Sequence, residues 1–257
     1  DCYYDDPLIE AAERYWNSPE WLDVRSKLTG YTGNALDIGA GRGIASYALA
    51  KEGFTVSALE PDPSASVGAE AIRALAENAR LPITVSEDFS EKLPFEDEYF
   101  DVVFARAVLH HTQDLEQACN EYFRVLKPGG KFIAIREHVI SKRADLPVFL
   151  EQHPLHNLYG GENAYLLDEY VSAIQNAGFS ELEVISTWRS PINYAPYNLE
   201  SLKHELARRA GQKLFGLEKF IYMLLDLPGM WTVIRWILEK VDNRPGRLYS
   251  FVAVRGD

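Results

Sequence analysis

Ala35-Leu36-Asp37-Ile38-Gly39-Ala40-Gly41-Arg42-Gly43 is the stretch that decides the fold. Its first four residues make a short run of the kind a buried strand needs. The glycines then turn the chain into a helix expected from about Ile44 to Lys51. Glycine lets the backbone turn sharply and approach a ligand closely, with the amides of the next helix aimed at it. Working outward, Thr55 to Leu59 reads as a second strand that ends on Glu60, 21 residues past Gly39. An acid there can accept hydrogen bonds from ribose hydroxyls. Ser64 to Ala79 reads as a helix, Ile83 to Ser86 as a third strand, and Asp101 to Ala105 as a fourth. The fourth carries the apolar run expected of a central parallel strand. Asp114, with Gln117 three residues on, predicts a capping box on a helix running to Leu126. Lys127-Pro128-Gly129-Gly130 ends it, and Lys131 to Val139 reads as a fifth strand. Strands and helices alternating in this way mean βαβ units on a parallel sheet.

The glycine turn resembles a dinucleotide fingerprint only in part. Gly39 and Gly41 fit Gly-x-Gly-x-x-Gly, but Ile44 takes the third glycine position and Gly43 falls one residue early. Nothing in it demands a pyrophosphate.

Beyond this unit the rhythm changes. Leu8, Ile9, Ala12, Tyr15 and Trp16 have helical spacing, and Ser18-Pro19 restarts the chain into a second helix. Residues 141–164 read as an irregular loop rich in His, Pro and Gly. Leu167 to Ala177 reads as a helix capped by Gly178, with two last strands at Leu182–Trp188 and Tyr249–Val254. The expected organisation is an N-terminal helical lid over 1–30, then one α/β domain over 31–257 with insertions at 141–164 and 198–242. The last insertion is aromatic, with Tyr194 and Tyr197 leading into it and Phe215, Phe220, Tyr222, Trp231 and Trp236 within it. An acceptor cover, a homodimer face and docking of a lipid-linked acceptor all fit it.

Composition narrows the partners. The 257 residues are 47% hydrophobic and carry a net charge of −12, which opposes long polyanions. The basic run Lys203, His204, Arg208, Arg209 and Lys213 is diluted by Glu200 and Glu205 and reads as a solvated helix face, so nucleic acid is not expected. Cys2 and Cys119 are the only cysteines, so no disulfide framework follows. No signal peptide is read in the sequence, and a cytoplasmic location is expected. Phe220 to Leu238 is the most apolar stretch. Asp226, Arg235 and Pro228-Gly229 interrupt it, so two short buried helices are expected rather than a membrane span.

These motifs together resemble the class I S-adenosylmethionine-dependent methyltransferases. Leu36 to Gly43 is similar to their first motif, and Glu60-Pro61 resembles their ribose-binding acid. Asp88-Phe89 matches the position that faces and covers the adenine. Leu93-Pro94-Phe95, Tyr99 to Val103, Val108-Leu109-His110-His111 and Arg124 to Gly130 follow in family order. The resemblance implies a Rossmann-like sheet of seven mostly parallel strands with helices on both faces. It also implies S-adenosylmethionine across the strand ends and an in-line methyl transfer that needs no metal. The expected cofactor residues are Asp37, Gly39, Gly41, Glu60, Pro61, Asp88, Phe89, Ala105, Arg106 and Tyr15.

For the acceptor side, His111, His138 and His110 are the candidate bases, since a histidine near its ordinary pKa of roughly 6.5 can take a proton from a hydroxyl. His153, His156, Tyr159 and Glu162 are candidate substrate-facing residues. The three-residue spacing of His153 and His156 raises a metal site with Glu162, but Pro154 lies between them and no ligand motif supports it, so no metal is expected. The expected acceptor is a small molecule, with a hydroxyl on a sugar or secondary metabolite favoured over an amine. An aminopropyl transferase, a nicotinamide oxidoreductase and a non-catalytic module that keeps the cofactor pocket are the rival readings.

Overall fold

The computed structural model describes residues 5–159, 161–213 and 216–256. Cys2, Gly160, Phe215 and the Tyr159 side chain lie outside that set. At the centre of the sheet, β1 (Asn34–Ile38) runs parallel to β2 (Thr55–Leu59) on one side and β4 (Phe100–Arg106) on the other. Next to β2 is β3 (Ile83–Ser86), and next to β4 is β5 (Leu126–Ile140), both parallel. Beyond β5 come β8 (Arg247–Arg255), antiparallel to it, and β7 (Phe179–Ile185), antiparallel to β8. The order is β3-β2-β1-β4-β5-β8-β7, and a two-residue β6 (Tyr165–Leu166) adds an eighth strand on the end of β5. The seven expected strands are therefore present, and Tyr165–Leu166 is an addition to them.

The register explains where a site can form. Ile38 lies opposite Leu59 and Ala105, so Gly39 and Glu60 leave the sheet at the same edge where Arg106 ends β4. The chain also reverses its direction of growth there, from β1-β2-β3 to β4-β5, which opens a crevice at the strand ends. Both faces of the sheet are covered. Along β4, Val102 and Phe104 pack with Trp21, Leu49 and Phe54, while Val103 and Ala105 pack with Leu36, Tyr122 and Phe132. This alternation gives an apolar strand two partners at once.

α3 (Ile44–Lys51), α4 (Ala69–Ala79), α5 (Leu115–Val125) and α8 (Leu167–Asn176) flank the sheet. Of the N-terminal pair, α1 (Leu8–Trp16) packs on α3 and α4, and α2 (Pro19–Lys27) packs on the short helix Pro191–Tyr194. Ser18 caps α2 by accepting from the Trp21 amide at 3.1 Å.

Several expectations need correction. The helix expected from Ser64 begins at Ala69, because Gly68 is extended and a Cβ there would sit 2.0 Å from the Asp62 carbonyl oxygen. Asp114 caps α5 through the Gln117 amide at 2.9 Å, but the Gln117 side chain donates to the Glu91 carbonyl instead of closing a capping box. The strand expected at Leu182–Trp188 is β7, shifted three residues earlier by its pairing with β8. Residues 141–164 are not one irregular loop but hold α6 (Leu146–Gln152) and α7 (Pro154–Tyr159).

The late insertion comprises α10 (Leu199–Lys213), α11 (Glu218–Leu225) and α12 (Met230–Val241), after a short α9 (Pro191–Tyr194). The break at Pro228-Gly229 is real, with α11 and α12 meeting at 103°. The two helices are not buried, however. Phe220, Met223, Val233, Trp236 and Val241 are exposed, because no other element among the described residues covers that face. Among the described residues no single helix is long and apolar enough to cross a membrane.

Candidate active site

A cleft of about 1030 Å³ opens at the carboxyl ends of the central strands. Its lining comes from Gly39, Gly41, Glu60, Pro61 and Asp62 after the first two strands, from Phe89, Ala107 and Val108, and from His111, Gln117 and Glu162.

The glycine turn is built to let the backbone come close. Gly39 has φ of +60°, and a Cβ there would lie 2.7 Å from Val108 Cγ2, so only glycine lets the loop after β4 close over the turn. Glu60 anchors the same turn. Its Oε2 accepts from the Gly41 amide at 2.6 Å and its Oε1 from the Asp62 amide at 2.9 Å. Burial raises its pKa, which those amides partly offset. A buried acid at a strand end with a glycine cradle fits a ribose-bearing cofactor.

Behind the turn, a smaller pocket is lined by Tyr15, Asp37, Arg42 and Arg106. Asp37 accepts from Ser46 Oγ at 2.5 Å, and burial pushes its pKa up to about 7. Tyr15 donates to Glu20 at 3.0 Å, and the Arg106 Nε donates to the same carboxylate at 2.6 Å. Arg136 also reaches Glu20, at 3.4 Å. Glu20 is therefore a buried hub that pins α2 to the ends of β4 and β5. It had no motif to announce it in the sequence.

The remaining cofactor candidates divide. Pro61 and Phe89 line the cleft, and Phe89 stands 71% exposed at its rim. Asp88 does not line it; its carboxylate accepts from Ser86 Oγ at 2.8 Å. Ala105 is fully buried in the core of β4, so its side chain is withdrawn from the cleft.

The far end of the cleft gathers most of the histidines. His110 is buried, and its Nδ1 lies 2.6 Å from the fully buried carboxylate of Glu137. That carboxylate also accepts the Val108 and His110 amides, at 3.0 and 3.1 Å. Burial works against the charge on His110, but Glu137 and then Glu162 outweigh it and hold its pKa up at about 9. It is thus a poor base and does not face the cleft. His138 has its Nδ1 2.9 Å from the Gly246 carbonyl, and burial followed by the charge on His110 takes its pKa down to about 4. It too lies off the cleft, against His110 and Phe149. Of the three expected bases, only His111 lines the cleft. It is 43% exposed at the side chain, its Nδ1 lies 3.1 Å from the Gly161 carbonyl, and burial followed by His110 lowers its pKa.

Glu162 joins these groups. It lies 3.5 Å from His110 Nε2, 3.8 Å from His111 Nε2 and 3.7 Å from His153 Nδ1. Burial would raise its pKa, but the three imidazoles pull it down to about 2. His156 sits one turn further along, its amide donating to His153 Nδ1 at 3.4 Å. Glu137 is the residue sequence reading missed here, since only its place beside His138 was noticed.

A methyltransferase domain family profile matches residues 36–134. The chain is 30% identical over 237 residues to methyltransferase GfsG of Streptomyces halstedii, covering 86% of this chain and 81% of that protein. It is 36% identical over 211 residues to the sterol 4-C-methyltransferase of Caenorhabditis elegans, covering 79% of this chain and 56% of that one. The chain thus spans little more than half the length of that curated relative. Among solved structures, phosphoethanolamine N-methyltransferase 2 of Haemonchus contortus superposes with a TM-score of 0.61 at 21% identity, over 96% of this chain and 56% of that one. The chain belongs to the class I S-adenosylmethionine-dependent methyltransferases.

Proposed function

We propose that the chain transfers a methyl group from S-adenosylmethionine to a hydroxyl of a small molecule, on a sugar or secondary metabolite. The observation that carries this reading is that one cleft joins the Gly39–Glu60 end to the His111–Glu162 end. The donor end is built by Glu60 for the ribose and Phe89 for the adenine ring, with Asp37 in the smaller pocket behind the turn for the amino-acid portion. When bound, the sulfonium donor supplies an electrophilic methyl carbon. The acceptor oxygen forms a bond to that carbon as the carbon–sulfur bond breaks, and the bonding pair stays on sulfur. The chain holds the two reactants in line, which can supply much of the rate. His111 and Glu162 are the groups placed to activate the hydroxyl and receive its proton. An amine acceptor would make less use of them, which favours oxygen.

Two outcomes are expected. His111→Ala lowers kcat by about 10²–10⁴-fold, the usual span for losing an acid–base group. Donor affinity in calorimetry stays close to wild type. Unchanged turnover across a panel of hydroxyl acceptors would show that the far end of the cleft does not activate the nucleophile.

Donor binding also depends on pH through Asp37. Burial holds its proton up to about pH 7, whereas a cation beside it favours the ionised form. Binding must therefore expel that proton below pH 7. Affinity rises with pH by up to about tenfold per unit until roughly pH 7 and is flat above it. Asp37→Asn flattens the profile. Calorimetric titrations between about pH 5 and 8 check this, and a wild-type affinity independent of pH would remove Asp37 from the donor site.

A further inference from the structure

The geometry points to a divalent transition-metal site at the far end of the cleft, formed by His110 Nε2, His111 Nε2 and Glu162 Oε2. Their ligand atoms lie within 4.8 Å of one another. The two nitrogens stand 3.5 and 3.8 Å from Glu162 Oε2. These separations are at or beyond the limit of a hydrogen bond, but close to the roughly 3.3 Å edge of a tetrahedron with bonds of about 2.0–2.1 Å.

Three further features set these side chains apart from a plain polar network. Glu162 Oε2 is buried and has no hydrogen-bond partner among the described residues. The nearby imidazoles offset its charge at 3.5 Å and beyond, but the oxygen lacks a direct contact, which is costly for a buried polar atom. Next, each histidine has its Nδ1 tied outward, His110 to the Glu137 carboxylate and His111 to the Gly161 carbonyl. Those bonds orient both rings with Nε2 inward, as the outer partners of metal-bound histidines do, and an ion bound there would displace the proton that His110 otherwise carries. Finally, His138 and His153 form a second group with Glu162 on the other side of the same carboxylate, so four of the six histidines surround one acid.

Two imidazoles and one carboxylate suit a first-row ion such as Zn²⁺ or Fe²⁺ better than Mg²⁺ or Ca²⁺. Three protein ligands leave a position open, and both His111 and Glu162 line the cleft, so that position faces an incoming acceptor. On the methyl-transfer reading, the ion would polarise the acceptor oxygen and so, in the metal-loaded chain, take over from His111 and Glu162 the activation of the hydroxyl.

The test is a titration of the chelator-treated full chain with Co²⁺, followed by visible absorption and then by displacement with Zn²⁺. One Co²⁺ per chain is expected, with d–d bands that Zn²⁺ removes. Glu162→Gln and His111→Ala should each weaken binding by more than the about 10–100-fold that outer-shell changes cost. His204→Ala is the control, since that ring stacks on Tyr222 away from the cluster, and it should bind as wild type. Circular dichroism confirms that the variants fold, and the exposed His111 is the change least able to unfold the chain. No saturating signal, or wild-type binding in Glu162→Gln, would overturn the site. The titration uses neither donor nor acceptor, so its outcome is separate from that of the methyl-transfer assay.

Discussion

Glu60→Ala weakens S-adenosylmethionine binding by about 100-fold while the chain stays folded. Each hydrogen bond from a neutral donor to a charged acceptor is worth about 1.5–3 kcal/mol, and two ribose hydroxyls face this carboxylate in the proposed complex. Even the lower bound gives about 3 kcal/mol, or roughly two factors of ten. The alanine also releases the Gly41 and Asp62 amides, so the turn loses its brace along with the ligand. Glu60→Gln keeps the shape and an acceptor oxygen but not the charge, and falls between the two. Calorimetry with the donor and its demethylated product measures both variants. An alanine variant that binds like wild type would move the ribose elsewhere in the cleft.

Glu137→Ala has its largest effect on stability. The carboxylate is fully buried and holds the His110 imidazole together with the Val108 and His110 amides. Removing it leaves two buried amides without partners and takes from the buried His110 its nearest counter-charge, with Glu162 remaining at 3.5 Å. Breaking such a pair costs about 3–5 kcal/mol. At roughly 2–4 °C per kcal/mol for a chain of this size, the midpoint of thermal unfolding falls by about 10 °C. Glu137→Gln costs less, because the amide can still accept one of the bonds. A fall of under about 2 °C in the alanine variant would mean that the loop after β4 does not depend on this anchor.

These two residues differ sharply in how visible they are in the sequence. Glu60 follows a strand and stands at a fixed distance from a glycine turn, so local pattern alone located it. The same holds for β1 to β5, whose apolar runs and caps lie within one βαβ unit after another. Glu137 sits inside a strand, and what marks it is a partner 27 positions earlier. His110, His111, His138, His153 and Glu162 come from three separate segments, and only the fold brings them together. Sequence spacing joined His153 to His156 and Glu162, whereas space keeps His153 beside Glu162 and adds His138. The late insertion shows the complementary limit. The helical pattern of Phe220 to Leu238 placed two helices correctly, but an apolar face does not say which surface will cover it. Gln117 failed for a related reason, since the Glu91 carbonyl offered its side chain another acceptor.

The position of β8 between β5 and β7 governs the order in which the sheet can be assembled. Among the described residues β7 pairs with the sheet only through β8, yet residues 186–246 separate the two in sequence. As the chain leaves the ribosome, β1 to β5 can pair as they emerge, while β7 must wait for some sixty residues to pass before its neighbour exists. At equilibrium this delay costs little. Loop-closure entropy grows by only about 0.6 kcal/mol per doubling, so lengthening a hairpin of about six residues tenfold adds roughly 2 kcal/mol. The late helices thus burden the timing of folding more than its final balance, and a chain cut short before Arg247 would carry β7 as an unpaired edge.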